Sequence, residues 1–345
     1  MVRIGIAGVG FMGMIHYLGV QRLENDVARV AALCSRDPKK RAGDWTGIRG
    51  NFGPPGEMMD LSGVRTYDRL EAMLADTELD MIDVCLPTDQ HFVAAQQALR
   101  AGKHVLVEKP LTLDVQEAEQ LVREAEQAGR RLMVAHVLPF FPEFRFAQEY
   151  VRSNAGGKVL AAHFDRIISQ PDWSSDIADA QKTGGPIIDL HIHDTHFINL
   201  LWGMPTAVTS RGVVGLHNSI QHTATQYHYP ADRGPACVTS TSGALCMKGR
   251  PFIHGFEIFM EKATLLFHAG LQPLTLLTLD GEVQKLQLPG GSDPVEAFAD
   301  EILSALLGVL NQEPSDLLRA ELARDALILC RKEEESIRTG QTVSV

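Results

Sequence analysis

The sequence has few cysteines, and their spacing fits neither a disulfide framework nor a metal site. The 345-residue chain has five, several in apolar, strand-like runs where a reduced cysteine packs as a small hydrophobic residue. This pattern predicts a reducing compartment, the cytoplasm. The five are Cys34, Cys85, Cys237, Cys246 and Cys330.

Positive charge and long apolar runs are also scarce. Acidic residues number 43 against 32 lysines and arginines, and the formal net charge of -11 argues against nucleic acid or an anionic membrane as a partner. No apolar stretch approaches the ~20 residues of a membrane span. A strand-like run begins at the second residue, which leaves no room for a signal peptide. With no low-complexity tract or internal repeat, the length predicts two ordinary globular domains.

A glycine-rich turn is the most informative feature near the start of the chain. Residues 2–7 form an apolar run typical of a buried parallel strand, and residues 12–23 follow with helical spacing. Between them Gly8 allows a tight turn, Gly10 lets the backbone approach a pyrophosphate, and Gly13 lets the helix lie close to the strand. N–H groups at the helix start would hold the phosphates. The turn predicts a dinucleotide site formed by Gly8, Gly10, Phe11, Met12 and Gly13.

The hydrophobic pattern changes between the two halves of the chain. Short β-branched runs alternate with helical patterns over the first 135 residues, which predicts a doubly wound parallel sheet. After Pro139, longer strand candidates with few helices predict an α+β half with a mostly antiparallel sheet. The Gly- and Pro-rich segment from Asp44 to Gly63 is expected to be a surface loop. Predicted strands are 2–7, 28–34, 81–86, 104–107, 131–135, 159–168, 207–214, 236–245, 252–260 and 263–268; predicted helices are 12–23, 67–75, 90–101, 114–128, 294–307 and 314–338.

Four motifs in order resemble those of the Gfo/Idh/MocA oxidoreductases, the group of glucose-fructose oxidoreductase and inositol dehydrogenase. They are the glycine turn, Pro-Thr-Asp-Gln-His at 87–91, Gly-Lys-His-Val-Leu-Val-Glu-Lys-Pro at 102–110, and Gly-Gly-Pro-Ile-Ile-Asp-x-x-x-His at 184–193. The resemblance implies an α/β Rossmann-type doubly wound parallel sheet over residues 1–135. It implies a C-terminal α+β domain with a large, mostly antiparallel open sheet over residues 136–345. Because an open sheet face needs covering, we expect a homodimer or homotetramer.

Lys109, His193 and Asp189 are the catalytic candidates. Oxidising a secondary alcohol needs a hydride acceptor and a base for the hydroxyl proton. Lys109 follows a buried strand, so its amine is expected at the carboxyl edge of the sheet, where ligands bind. Asp189 and His193 are four residues apart and would share one face of a helix. The resemblance implies that His193 bonds the reacting hydroxyl while Asp189 orients it, and His196, on the same face, is a substrate candidate.

The histidine-rich stretch raises a metal alternative. His191, His193, Asp194 and His196 can all ligate zinc or iron. On a helix His193 and His196 face one way, and His191 and Asp194 face roughly the other, so the four cannot converge. If the stretch were extended, His191 and His193 would share a face. We predict no bound metal, with a metal-dependent lyase or isomerase as the open alternative.

The cofactor's ribose site departs from the NAD pattern. The acidic residue that bonds an NAD ribose is expected near Ser35, at the end of the second strand. Ser35 followed by Arg36 suits a 2'-phosphate, because guanidinium matches phosphate in charge and geometry. These residues favour NADP, while Asp37, two residues further on, keeps NAD open.

Other candidates follow from position and from the resemblance. Pro87, Thr88 and His91 are expected along the nicotinamide side of the cofactor, and Glu108 at the nicotinamide ribose. The family often has arginine at the position of Pro139, so the substrate pocket is expected to be reshaped there, with His136 retained. The substrate candidates in the second half are Lys158, Arg166 and Trp173.

These residues together predict an enzyme that moves hydride between NADP(H), or NAD(H), and a hydroxyl carbon of a sugar, inositol or related polyol. One alternative is a tightly bound NAD that transiently oxidises the substrate to drive elimination or glycosidic cleavage, with no net reduced cofactor. Another is a dinucleotide-binding protein without turnover.

Overall fold

The computed structural model divides the chain into two compact units. The first comprises Met1–Phe140 and Ser292–Arg324, and the second comprises Phe141–Gly291 and Asp325–Val345. The sequence pattern assigned all of residues 136–345 to the second domain. In the structure the first unit also includes residues 136–140 and the segment Ser292–Arg324. The described residues are 1–24, 26–169, 179–215, 218–289, 293–311 and 315–345.

A parallel sheet forms the centre of the first unit. Its six described strands lie in the order 3-2-1-4-5-6, with every pair parallel. This is a dinucleotide-binding order, in which ligands bind at the carboxyl edge near the point where the strand order reverses. The strands are β1 (Val2–Ala7), β2 (Ala28–Cys34), β3 (Arg65–Tyr67), β4 (Met81–Val84), β5 (His104–Glu108) and β6 (Leu132–Ala135).

One helix on this sheet begins and ends at residues suited to capping. Asp114 accepts hydrogen bonds from the backbone N–H groups of Gln116 and Glu117 at the start of one helix, and Gly129 ends that helix in the left-handed region. The helices up to this point are α1 (Phe11–Gln21), α2 (Pro38–Arg41), α3 (Leu70–Leu74), α4 (His91–Arg100) and α5 (Val115–Ala128).

The second unit is built on a mostly antiparallel sheet. Its nine described strands have the order 14-13-12-11-7-10-9-8-15, and the pair of β7 (Val159–Ser169) with β10 (Cys237–Cys246) is parallel. The others are β8 (Ala207–Val214), β9 (Ile220–His228), β11 (Ile253–Met260), β12 (Ala263–His268), β13 (Gln272–Thr278), β14 (Val283–Lys285) and β15 (Val343–Ser344).

Only one face of this sheet carries the core. Along β7, Phe164 and Arg166 are buried, while the alternate residues His163 and Asp165 are partly exposed. Phe144, on a helix, lies edge-on to Phe256 of that buried face and to Phe197 of a neighbouring helix. The helices here are α6 (Pro142–Ser153), α7 (Ala180–Thr183), α8 (Pro186–Asp189) and α9 (Ile192–Trp202).

Two long helices lie between β14 and β15 in the chain. The helix α10 (Pro294–Leu310) lies against α1, where Gly19 allows close approach: a Cβ there would be 2.9 Å from a methyl group of Ile302. This packing places α10 in the first unit. The helix α11 (Ala320–Thr339) contributes its first residues to the first unit and the rest to the second. None of the helices in the described ranges combines the length and apolar character that a membrane span requires.

The predicted fold class is confirmed, with differences in individual elements. Helices α2, α6 and α7 were not expected, and α8 and α9 were expected only as one helix around Asp189 and His193. Strands β3, β9, β13, β14 and β15 were not expected either. The predicted loop from Asp44 to Gly63 has no regular element apart from an isolated bridge, but it is not only a surface loop. Trp45 is fully buried there, with its ring edge-on to Tyr17 of α1.

Candidate active site

The glycine turn after β1 has the close backbone contacts that its sequence predicts. Gly8 has φ +103°, and a Cβ there would lie 2.5 Å from the Cys85 carbonyl oxygen. A Cβ on Gly13 would lie 2.0 Å from the Gly8 carbonyl oxygen. At Gly10, by contrast, a Cβ would meet nothing within 4 Å, and no side chain caps the start of α1. This open, uncapped helix start fits a dinucleotide pyrophosphate.

Aromatic side chains support the same turn. Phe11, inside the glycine motif, lies edge-on to Phe52 at 4.8 Å between ring centroids, and Phe52 stacks on Phe298 of α10 at 5.4 Å. A Cβ on Gly50 would collide with the Phe11 ring. The segment from Asp44 to Gly63 therefore packs directly on the glycine motif.

The end of β2 carries Ser35 and Arg36. Arg36 is exposed and Ser35 is half-buried. Arg41 fixes this turn, donating from Nη1 to the carbonyl oxygens of Ser35 at 2.6 Å and Arg36 at 3.0 Å. Asp37 caps α2, since its Oδ1 accepts a hydrogen bond from the Lys39 N–H at 2.8 Å.

Lys109 directly follows β5 at the carboxyl edge of the sheet and is partly exposed. Glu108 is buried and has both oxygens engaged: Oε2 accepts the backbone N–H of Lys109 at 3.0 Å, and Oε1 faces His16 Nε2 at 3.1 Å. Glu108 was predicted to face the nicotinamide ribose; in the structure its carboxylate faces the protein interior. Pro87 and Thr88 follow β4 at the same edge, with Pro87 exposed and Thr88 half-buried.

His91 holds the turn that contains Lys109. Its Nδ1 lies 2.8 Å from the Pro110 carbonyl oxygen and its Nε2 lies 2.9 Å from that of Leu86. The ring is buried, and burial lowers the pKa of His91. Both ring nitrogens face backbone carbonyls, and a neutral ring donates a hydrogen bond to one of them. His91 therefore supports this turn, where the sequence suggested a cofactor contact.

Asp189 and His193 lie on different helices of the second unit. Asp189 ends α8 and His193 lies in the first turn of α9, with Leu190 and His191 between the two helices. The His191 N–H bonds the Pro186 carbonyl, five residues back, so the turn is widened. The prediction that both side chains share one face of one helix is therefore wrong. Both remain partly exposed.

The histidine-rich stretch forms buried polar contacts at its other positions. His191 lies between Ser242 Oγ at 2.8 Å and Glu333 Oε2 at 2.5 Å. Asp194 receives a two-pronged contact from the Arg166 guanidinium, at 2.9 and 3.0 Å. These partners separate His191 and Asp194 from any shared ligand set with His193.

The remaining substrate candidates are mostly buried. Arg166 is 4% exposed and paired with Asp194, and its guanidinium lies over the Phe252 ring. His136 and His196 are buried, and burial lowers the pKa of His196 to about 3. Lys158 is exposed and donates to the Ala231 carbonyl oxygen. Trp173 lies outside the described residues.

One site residue went unnoticed in the sequence. His16, fully buried on α1, contacts the carboxylates of both Asp83 and Glu108. The signal was a polar residue three positions after Gly13, on a helix face that is otherwise apolar.

Known proteins carry the same two-part pattern. Residues 2–136 match the sequence model of the oxidoreductase family with an NAD-binding Rossmann fold, GFO_IDH_MocA, and residues 144–265 match the GFO/IDH/MocA C-terminal domain. The chain is similar to the UDP-N-acetylglucosamine 3-dehydrogenase of Acidithiobacillus ferrooxidans, with 28% identity over 62% of this chain and 59% of the relative. It is similar to D-xylose 1-dehydrogenase (NADP(+)) 2 of Haloferax volcanii, with 31% identity over 59% of this chain and 58% of the relative.

Solved structures extend the likeness in fold along the whole chain. An NAD binding oxidoreductase from Klebsiella pneumoniae superposes with a TM-score of 0.85 at 18% identity, covering 100% of this chain and 99% of that one. The sequence matches with the two dehydrogenases span about three fifths of each relative's length. The family models, by contrast, cover both units, and the chain belongs to the Gfo/Idh/MocA family of oxidoreductases.

Proposed function

We propose that this protein is an NADP(H)-dependent dehydrogenase or reductase acting on a secondary hydroxyl of a sugar, inositol or related polyol. One observation carries the proposal: Lys109 follows β5 at the sheet edge that also holds the glycine turn after β1 and the Ser35–Arg36 turn after β2. That edge is where a doubly wound sheet binds its dinucleotide. The names of the two dehydrogenase relatives support a sugar substrate.

The residues of the turn divide the work of holding the cofactor. The uncapped N–H groups that begin α1, at Phe11, Met12 and Gly13, would bind the pyrophosphate, and the absence of a side chain at Gly10 leaves the room this needs. When bound, the nicotinamide supplies the hydride acceptor or donor. Lys109 supplies an amine that takes the hydroxyl proton as the carbonyl forms, or returns it in the reverse direction.

His193 is proposed as the second proton-handling group, with Asp189 orienting the substrate. Among the three histidines of the stretch, His193 is the partly exposed one, whereas His191 and His196 are buried. A group that meets substrate needs such access, and an imidazole can serve as acid or base.

The proposed cofactor preference rests on the hydrogen bond that the Asp37 carboxylate already accepts within the protein. An acidic residue selects NAD by accepting a ribose hydroxyl, but the Asp37 carboxylate caps α2 through the Lys39 N–H. Arg36, next to the ribose position, is exposed and can pair with a 2'-phosphate. These contacts favour NADP(H) over NAD(H).

We further propose a cytoplasmic homo-oligomer joined through the open face of the large sheet. Five free cysteines suit a reducing compartment. The face opposite the helices carries exposed apolar side chains, among them Leu160 and Phe259, and covering them is a reason to associate.

The test is nicotinamide absorbance with NAD+ and NADP+ in parallel against sugars, inositols and sugar acids, before and after any bound cofactor is stripped. Reduction of NADP+ by one substrate class supports the proposal. Cofactor binding with no net reduction across the panel, but conversion of a substrate, would instead support the internal-redox alternative. Binding without any conversion would support a protein that does not turn over.

A further inference from the structure

His16 lies between two buried carboxylates. Its Nδ1 is 2.8 Å from Asp83 Oδ2 and its Nε2 is 3.1 Å from Glu108 Oε1, and the three residues are 0%, 1% and 6% exposed. Ionised carboxylates only accept hydrogen bonds, so a ring that satisfies both must carry a proton on each nitrogen. Burial is the largest single influence and would lower the pKa of His16, but Asp83 and Cys85 together outweigh it and raise that pKa well above its usual value.

A shared metal ion does not fit this separation of atoms. His16, Asp83 and Cys85 place potential ligand atoms within 4.8 Å of one another. Two ligands of one tetrahedral zinc, each at its normal bond length, stand about 3.4 Å apart. The 2.8 Å between Nδ1 and Oδ2 is instead the length of a direct, charge-assisted hydrogen bond.

The contact continues from Glu108 to the backbone of Lys109. While Oε1 of Glu108 faces His16, Oε2 accepts the Lys109 N–H at 3.0 Å. A carboxylate anchored at one oxygen cannot swing away from the amide bound at the other. The order of contacts is therefore Asp83, His16, Glu108 and the Lys109 amide, all within the first unit.

These contacts also involve α1, the helix proposed to bind the pyrophosphate. His16 lies on α1, whose first turn follows the glycine motif, while Asp83 and Glu108 come from the adjacent strands β4 and β5. A single side chain thus connects the helix proposed to bind pyrophosphate with the strand end that carries the proposed base.

We propose that His16 is a positioning residue for Lys109: it holds Glu108 against the Lys109 amide and so fixes the direction in which the lysine leaves the sheet edge. This inference rests on the proposed function, because it assigns Lys109 to proton transfer. It predicts that loss of His16 lowers kcat while dinucleotide affinity is retained, since the N–H groups at the start of α1 remain.

Two variants break the contacts and one preserves them. His16→Gln has both of its N–H donors on one nitrogen, so it cannot place a donor at each of the two positions that the ring nitrogens occupy. Glu108→Ala removes the acceptor of the Lys109 amide. Glu108→Gln keeps an oxygen for that amide and lets a neutral His16 accept from the new NH2 group. The matched control is His104→Gln, at the opposite end of β5, where the ring accepts a backbone bond from Arg131.

Amide hydrogen exchange is the first readout and needs no substrate. In the wild-type protein the Lys109 amide should be protected. His16→Gln and Glu108→Ala should each speed its exchange at least tenfold, while Glu108→Gln and His104→Gln should stay within a few fold of wild type. NADPH binding, followed by fluorescence, verifies that each variant is folded and should change less than a few fold.

Kinetics with the substrate found in the absorbance panel is the second readout. We expect kcat to fall at least tenfold in His16→Gln and in Glu108→Ala, and the double variant to lose no more than the worse single variant, because both break one chain of contacts. Glu108→Gln should retain most of the kcat that Glu108→Ala loses. If either His16→Gln or Glu108→Ala fails to fold, the other variant is compared with Glu108→Gln.

The outcomes separate this inference from the proposed function. Turnover that survives Lys109→Met would overturn the proposed function whatever His16 does. Loss of turnover in Lys109→Met, together with wild-type kcat and wild-type Lys109 exchange in His16→Gln, would overturn the positioning role alone. Additive losses in the double variant would also overturn it, as would stoichiometric metal that His16→Gln releases.

Discussion

Glu108 binds the backbone N–H of its neighbour Lys109 at 3.0 Å, so a buried carboxylate fixes the peptide from which the proposed base extends. On the other side, His91 bonds the next carbonyl, that of Pro110, at 2.8 Å. The lysine therefore leaves the sheet from a backbone held at two consecutive residues, and pre-organisation of this kind lowers the cost of reaching a reactive geometry.

The proposed preference for NADP(H) should depend on Ser35. Ser35→Asp places a carboxylate where an NAD ribose would meet it and where a 2'-phosphate would be repelled. We expect the ratio of kcat/KM for NADP+ over NAD+ to fall at least tenfold. Asp37→Asn is the control: if Asp37 only caps α2, the ratio changes little, whereas loss of NAD+ use would show that Asp37 binds the ribose.

Glu301 gives the protein a pH-dependent stability. Its side chain is fully buried on α10, and neither oxygen has a hydrogen-bond partner among the described residues. Burial, reinforced by Glu108 and Asp83, raises the pKa of Glu301 well above its usual value. The unfolded carboxyl loses its proton near pH ~4.3, while the folded one keeps it, so this group costs stability as pH rises above that point.

The test of Glu301 is thermal unfolding from pH 5 to pH 8. Glu301→Gln mimics the protonated carboxyl, so its Tm should exceed that of wild type by an amount that grows with pH. Glu296→Gln, at an exposed position of the same helix, should show a difference that does not grow. A Tm difference between Glu301→Gln and wild type that stays constant from pH 5 to pH 8 would mean that the folded carboxyl is ionised throughout.

The buried pair of His191 and Glu333 should stabilise the second unit. Burial opposes the charged imidazole, but Glu333 raises the pKa of His191. Glu333→Gln leaves a buried charge uncompensated and should lower the free energy of unfolding by about 3 kcal/mol at pH 6. Because the pKa of the folded histidine is raised, the deficit should shrink as pH rises through it.

Urea unfolding at pH 6 and pH 9 measures this deficit, with Glu335→Gln, an exposed residue of the same helix, as control. Equal deficits at the two pH values would show that His191 is neutral throughout. A control that loses as much stability as Glu333→Gln would assign the effect to the helix and not to the pair.

The open sheet face predicts an oligomer that one substitution can weaken. Phe259 is 39% exposed on β11, within the sheet, whereas Leu279 is 77% exposed in the turn after β13. Phe259→Glu should shift light-scattering mass toward the monomer, because burying a charge in a subunit contact is unfavourable. Leu279→Glu should leave the mass unchanged. A wild-type monomer would contradict the proposed oligomer.

The first-unit sheet was largely predictable from sequence because each of its signals is local. Continuous apolar strands, a glycine turn and helical spacing all lie within short windows, so β1 and β2 match their predicted bounds. Helix α6 was overlooked although Pro142 stands at its first position, a common helix start. The buried Trp45 could also have been predicted, because it is the larger of the two aromatic residues in its segment.

The polar contacts around Lys109 and those around His193 could not be predicted from local sequence signals. His16, Asp83 and Glu108 come from three elements that only the sheet brings together. The widened turn between Asp189 and His193 depends on a bond from His191 to Pro186 that leaves no periodic signal. Spacing alone predicted a shared helix face at this stretch, and the structure contradicts that face.

The central claim, hydride transfer to NADP+ with Lys109 as the proton-handling group, is tested most directly by absorbance at the nicotinamide band in wild type and Lys109→Met side by side. Both proteins should bind NADP+ within a few fold of each other, and Lys285→Met, an exposed lysine on β14, should behave as wild type. The account predicts NADPH formation by wild type with a sugar, inositol or polyol and none above background by Lys109→Met. Undiminished NADPH formation by Lys109→Met would contradict it.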